Sequence, residues 1–107
     1  MIRWGFLLLC FPVLVSAEFQ AGSAIVDVTP KTFPVLVNGG MTSRSIETVK
    51  RPIHARSLAF SDGENTIVIV VVDSCMMPTD LLDKAKKMAS EKSGVPADHI
   101  LISATHT

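Results

Sequence analysis

His106, between Thr105 and Thr107, is the residue of this chain best placed to do chemistry. A neutral imidazole is the commonest protein ligand for zinc. The two flanking hydroxyls could orient its second ring nitrogen or a bound water. Residue type alone favours the plainer reading, because a lone terminal histidine is more often incidental. Asp73-Ser74-Cys75 is the second candidate cluster. Asp73 reads as a metal ligand, as a group that orients one, or as a turn residue, with the turn favoured. Cys75 reads as a small buried apolar side chain, since no neighbouring His or Lys in the sequence would activate its thiol. His54, close to Arg56, reads as exposed or structural, and His99, after Asp98, as a surface residue. A Gly-rich phosphate loop, a Cys-x-x-Cys pair and a His-Glu-x-x-His helix are all missing from the sequence.

Both clusters follow segments that read as strands. Thr66–Val72 is almost wholly β-branched and apolar, the mark of a short strand buried on both faces. Ile100–Ala104 is a further apolar strand. Between them a helix is expected from Pro78 or Thr79, with Asp80 and Asp83 near its positive end. Leu81, Leu82, Ala85, Met88 and Ala89 form its apolar stripe, and Lys84, Lys86, Lys87 and Glu91 face away. Gly94 is a natural C-terminal cap and Pro96 blocks continuation. This is a β-α-β unit with parallel strands and a right-handed crossover. His54–Phe60, followed by the turn residues Ser61–Asn65, adds an antiparallel hairpin partner. The fold class expected is therefore α/β, a mixed sheet with its helix on one face. In such sheets ligands bind beyond the carboxyl ends of the parallel strands. That edge is where residues 73–75 and 105–107 should meet.

Upstream, Ala24–Val28 reads as a strand ended by Thr29-Pro30. Phe33–Val37 is an apolar patch and Asn38-Gly39-Gly40 a forced turn. Met41–Pro52, polar and mixed in charge, reads as a surface loop.

Residues 1–17 have the layout of a secretory signal peptide: Arg3, an apolar run from Trp4 to Val15, then Val15-Ser16-Ala17 as the cleavage site. That run is too short to span a bilayer, which takes about 20 residues, so no transmembrane segment is expected after cleavage. Leu9 before Cys10 argues against a lipoprotein anchor. The mature chain, residues 18–107, has a formal charge of −1, no Tyr, three Phe and one cysteine, Cys75. It can form no intrachain disulfide despite export. Its near-neutral charge argues against a nucleic-acid partner and against electrostatic docking on anionic lipid. So few aromatics imply a thin core.

The order of motifs carries more information than any one residue. Gly22-Ser23-Ala24-Ile25-Val26-Asp27-Val28-Thr29-Pro30 precedes a glycine turn, then His54-Ala55-Arg56-Ser57-Leu58-Ala59-Phe60, the strand ending in Val72-Asp73, the amphipathic helix, and Ile100-Leu101-Ile102-Ser103-Ala104-Thr105-His106-Thr107. Over Ala21–Thr107 this resembles the N-terminal part of the neutral/alkaline non-lysosomal ceramidase family, which is exported and zinc-dependent. The Ser-Ala-Thr-His-Thr end is the most specific of these motifs. The resemblance implies that residues 18–107 are an incomplete part of a larger α/β catalytic domain. It implies that His106 is a zinc ligand, the first histidine of the family's Thr-His-Thr-His-Ser-x-Pro motif. The family's other metal ligands (a His, a Glu and a Tyr) and its catalytic serine come from later segments, so no catalytic residue can be assigned here. The implied reaction is hydrolysis of the N-acyl amide of ceramide to sphingosine and fatty acid, with zinc polarising the carbonyl and activating water. Another amide or an ester is the alternative substrate class. The implied setting is secreted, periplasmic or cell-envelope, with room for peripheral membrane contact. The segment alone is expected to be inactive. The competing expectation is a small secreted binding module or a non-functional remnant.

Overall fold

The computed structural model describes residues 18–107. The expected export signal, residues 1–17, lies outside the described residues. The chain forms strands β1 (Gln20–Asp27), β2 (Val35–Val37), β3 (Arg44–Ile46), β4 (His54–Ser61) and β5 (Thr66–Val72), helix α1 (Thr79–Ser93), a 3-10 turn (Ala97–His99) and strand β6 (Ile100–Ala104). The main sheet has the order β1-β4-β5-β6, and β2 and β3 make a separate two-stranded hairpin. β1 and β5 both run antiparallel to β4, and β6 runs parallel to β5. This is the mixed α/β sheet with a hairpin leading into a β-α-β unit that the sequence indicates.

Local chemistry explains the boundaries. The β4–β5 hairpin closes over Asp62, whose Oδ1 accepts the backbone N–H groups of Glu64 (3.0 Å) and Asn65 (2.7 Å). Gly63 sits at φ 97°, where a side chain would be strained. α1 ends at Gly94, which adopts φ 77° and donates its N–H to the Ser90 carbonyl at 2.9 Å. β1 begins earlier than the apolar run Ala24–Val28 suggests. Its small and polar residues Gln20–Ser23 pair with Leu58–Ser61, and an edge strand needs only backbone partners there. For the same reason Met41–Pro52 is not wholly a loop. Arg44–Ile46 pairs with Val35–Val37 through backbone hydrogen bonds that leave no apolar alternation to read.

Two packing expectations are corrected. The first is that β5 is buried on both faces. Residues paired directly across a ladder share a face, which puts Leu58, Ile69 and Leu101 in one row. That row is open: Leu58 is 50% exposed, Ile69 36% and Leu101 58%. α1 lies over the opposite face, where Val68, Val70, Val72, Ile102 and Ala104 are half-buried. Ile100, at 5% exposure, is the one fully enclosed hydrophobic residue among those described. One helix covers one side of a sheet, so β5 has a continuous apolar composition but a single covered face.

The second correction concerns the helix stripe. Leu82 and Ala85 are half-buried as expected, but so is Lys86, a residue type whose aliphatic stem tolerates such a place. Leu81 and Met88 are exposed instead, and Ala89 is exposed with them. The buried stripe is rotated toward β6 and the 3-10 turn, the two elements α1 packs against. Among the described residues no helix is long and apolar enough to cross a membrane.

Candidate functional site

At the edge of the main sheet beyond β5 and β6, the register sets polar residues side by side. Asp27 pairs with His54 across β1 and β4. The Asp73 backbone N–H donates to the His54 carbonyl at 2.9 Å, and Thr105 donates its own to the Val72 carbonyl at 3.0 Å. Asp27, His54, Asp73 and Thr105 therefore form a row across four strands, and His106 lies just beyond it. The two clusters singled out in the sequence do meet on one edge.

The first polar turn belongs to β1. Asp27 Oδ1 accepts the Thr29 N–H at 2.8 Å, and Thr29 Oγ1 accepts the Ile53 N–H at 3.0 Å. The Asp27-Val28-Thr29 segment thus ties the end of β1 to the start of β4. The hydrogen bonds from Thr29 hold the Asp27 carboxyl below its ordinary range.

Asp73 opens the bend that follows β5, as the turn reading expects, and it also links strands. Its Oδ1 accepts from Arg56 Nη1 at 2.7 Å, and its Oδ2 accepts the His54 backbone N–H at 3.0 Å. The His54 ring, at 3.9 Å from Oδ2, is too far to share a strong hydrogen bond. With each oxygen engaged by a neighbouring strand, Asp73 anchors the start of β4 to the end of β5. Arg56, followed by the His54 N–H, holds the Asp73 carboxyl below the usual carboxylate range. A carboxyl lowered in the folded state adds stability above its unfolded value, about 3.9, and loses it as pH falls through the lower folded value. The carboxyl 13C resonance of Asp73 should therefore titrate with a midpoint below about pH 3.9, and Arg56→Gln should raise that midpoint. A midpoint unchanged by Arg56→Gln would contradict the pairing.

His106 is held by its own backbone and ring. Its N–H donates to the Ser74 carbonyl at 2.9 Å. Its Nδ1 lies 3.0 Å from the Cys75 carbonyl oxygen. A carbonyl only accepts, so Nδ1 carries a proton, and in the neutral ring Nε2 keeps its lone pair. This is the tautomer a metal-binding histidine adopts when a backbone carbonyl fixes its other nitrogen. His106 also adopts φ 63°, the left-handed region that non-glycine residues seldom occupy. Such conformations cluster at functional sites, where the surroundings enforce them. Neither Thr105 nor Thr107 makes a hydrogen bond to the ring. Their hydroxyls bond each other at 2.6 Å, and Thr105 Oγ1 also reaches the Ser74 carbonyl at 3.4 Å.

Two further expectations change. Cys75 is a free thiol but only half-buried, because its loop lies at the sheet edge. His99 is not a plain surface residue: it is half-buried, with Nδ1 3.1 Å from the Thr66 carbonyl at the opposite end of β5. The sequence reading also missed Asn38 and Gly39. Asn38 Nδ2 donates to the Met76 carbonyl at 3.4 Å, and Gly39 abuts the Cys75 Sγ. The Asn-Gly-Gly turn was legible, but not its contact with a loop far along the chain.

The chain matches no protein-family model and no curated protein.

Among the described residues, no three His, Cys, Asp or Glu side chains gather closely enough to hold a metal ion. A catalytic zinc needs three protein ligands and an open position. The donors present fit one corner of such a site, His106 Nε2, and not a complete one. No catalytic step can be assigned to these residues alone.

Proposed function

We propose that this chain is the N-terminal portion of an exported zinc-dependent amidohydrolase of the neutral-ceramidase type, in which His106 supplies one metal ligand. The observation that carries this reading is the state of the His106 ring. It sits at the end of a parallel strand, with Nδ1 engaged by the Cys75 carbonyl, which in the neutral ring leaves the Nε2 lone pair for a metal. The order of motifs from Gly22 to Thr107 supports it. So does the open apolar row Leu58–Ile69–Leu101, which suits a sheet built to be covered by further parts of a domain. The substrate proposed is a ceramide-like lipid amide, cleaved to an amine and a fatty acid, in a secreted, periplasmic or envelope setting. Access to such a lipid calls for peripheral contact with a membrane.

The second reading is a small secreted binding module or remnant without catalysis. The low aromatic content of residues 18–107, three Phe and no Tyr, favours it. Two experiments separate the readings. The hydrolase reading expects the coding frame to continue past codon 107 with His-Ser-x-Pro, and an authentic stop codon there would remove it. It also expects residues 18–107, purified with zinc, to leave a fluorogenic ceramide intact, since the remaining ligands lie elsewhere. Zinc-dependent turnover by that segment would overturn the assignment of an incomplete site.

A further inference from the structure

The turn Asn38-Gly39 belongs to the β2–β3 hairpin, outside the main sheet, yet it leans on the loop that holds His106. Gly39 adopts φ 90°, and a Cβ built on it would lie 2.7 Å from Cys75 Sγ and 3.6 Å from Cys75 Cβ. A Cβ there would push against Cys75 Sγ, the end of a rotatable side chain, and force this contact to repack, while the positive φ itself favours glycine. Beside it, Asn38 Nδ2 donates to the Met76 carbonyl at 3.4 Å. The same carbonyl accepts from Ser74 Oγ at 3.0 Å. Residues 74–76 are thus held from the hairpin side at Met76 and Cys75. From the other side the loop receives the His106 N–H on the Ser74 carbonyl at 2.9 Å and His106 Nδ1 on the Cys75 carbonyl at 3.0 Å.

We infer that Asn38 and Gly39 are positioning residues: they clamp the 74–76 loop so that the Cys75 carbonyl fixes the His106 ring with Nε2 free. The clamp itself is a matter of packing. Its meaning for zinc chemistry rests on the hydrolase reading above. Neither residue touches the ring, and both act through one backbone carbonyl. No side chain at position 75 can replace that carbonyl, so the hairpin turn is the part of the device open to substitution.

The test reads the tautomer and not activity. Long-range 1H–15N NMR of the whole chain, with 15N-labelled histidine at about pH 8, where an ordinary histidine is neutral, distinguishes Nδ1–H from Nε2–H at each ring. His106→Gln identifies the His106 signals. The intact chain should show His106 as Nδ1–H. In Gly39→Ala the ratio of Nδ1–H to Nε2–H at His106 should fall about fivefold, the equivalent of ~1 kcal/mol for one net hydrogen bond. Asn38→Ala, which adds no atom, should move it in the same direction. His99, bonded to the Thr66 carbonyl at the other end of β5, reports on the fold and should not change. If Gly39→Ala disturbs His99 as well, Asn38→Ala decides. A His106 ratio that stays at its original value in Asn38→Ala, or in a Gly39→Ala chain with His99 intact, overturns the clamp. A shifted ratio in a protein with no zinc hydrolase activity would leave the clamp standing and remove the hydrolase reading.

Discussion

His106→Ala, made in the product of the complete reading frame, should abolish zinc-dependent hydrolysis of a fluorogenic ceramide. Losing an outer partner of a metal ligand costs roughly 10–100-fold. Losing the ligand itself should exceed that and bring turnover to background. The expectation rests on the proposed hydrolase function and on the ring geometry. Nδ1 is committed to the Cys75 carbonyl, so Nε2 is the nitrogen left to bind the ion. Circular dichroism should show the variant folded like the parent, since His106 is exposed and lies outside every strand. A variant that keeps a third or more of the parent turnover would remove His106 from the metal site.

The second large effect concerns association. Residues 18–107 produced alone should be a poor monomer. Leu58, Ile69 and Leu101 form an open row across β4, β5 and β6, and Ile25 and Ile67 stand exposed on the same face. Burying a large aliphatic side chain is worth about 1.5–3 kcal/mol, so covering even part of this row favours self-association. β6, which closes the sheet on one side, adds unpaired backbone groups. Sedimentation velocity of residues 18–107 should show oligomers or aggregates at micromolar concentration. Leu58→Lys together with Leu101→Lys, both at exposed positions, should shift the distribution to monomer, raising the concentration for half-association by more than tenfold. A parent segment that sediments as a monomer and melts cooperatively would mean that the open face is not sticky.

Much of this architecture can be read from the residues. Thr66–Val72 and Ile100–Ala104 announce their strands by composition, Gly94 announces the end of the helix, and Ser61–Asn65 announces the hairpin. What the sequence conceals is which side of each element is covered. An apolar run such as Thr66–Val72 has no alternation, so it looks the same whether one face or both are buried. The helix stripe misleads for a related reason: Leu81 and Met88 are apolar but turn away from β6, while the long stem of Lys86 takes a half-buried place. At the site, proximity of Asp73 and His106 to one edge follows from the β-α-β topology. The commitments of each group do not. The Arg56–Asp73 pair is set by the register of β4 against β5, and the Gly39–Cys75 contact by a fold-back of the hairpin. Both are long-range, and neither residue type signals its partner.

The central claim is that His106 is a zinc ligand of an amidohydrolase. Its most direct test is metal analysis of the product of the complete reading frame, parent against His106→Ala, with ceramide hydrolysis followed before and after chelation. Expected are bound zinc in the parent, its loss in the variant, and hydrolysis that chelator removes and added zinc restores. Equal zinc in both proteins, or hydrolysis that survives complete removal of the metal, would contradict it.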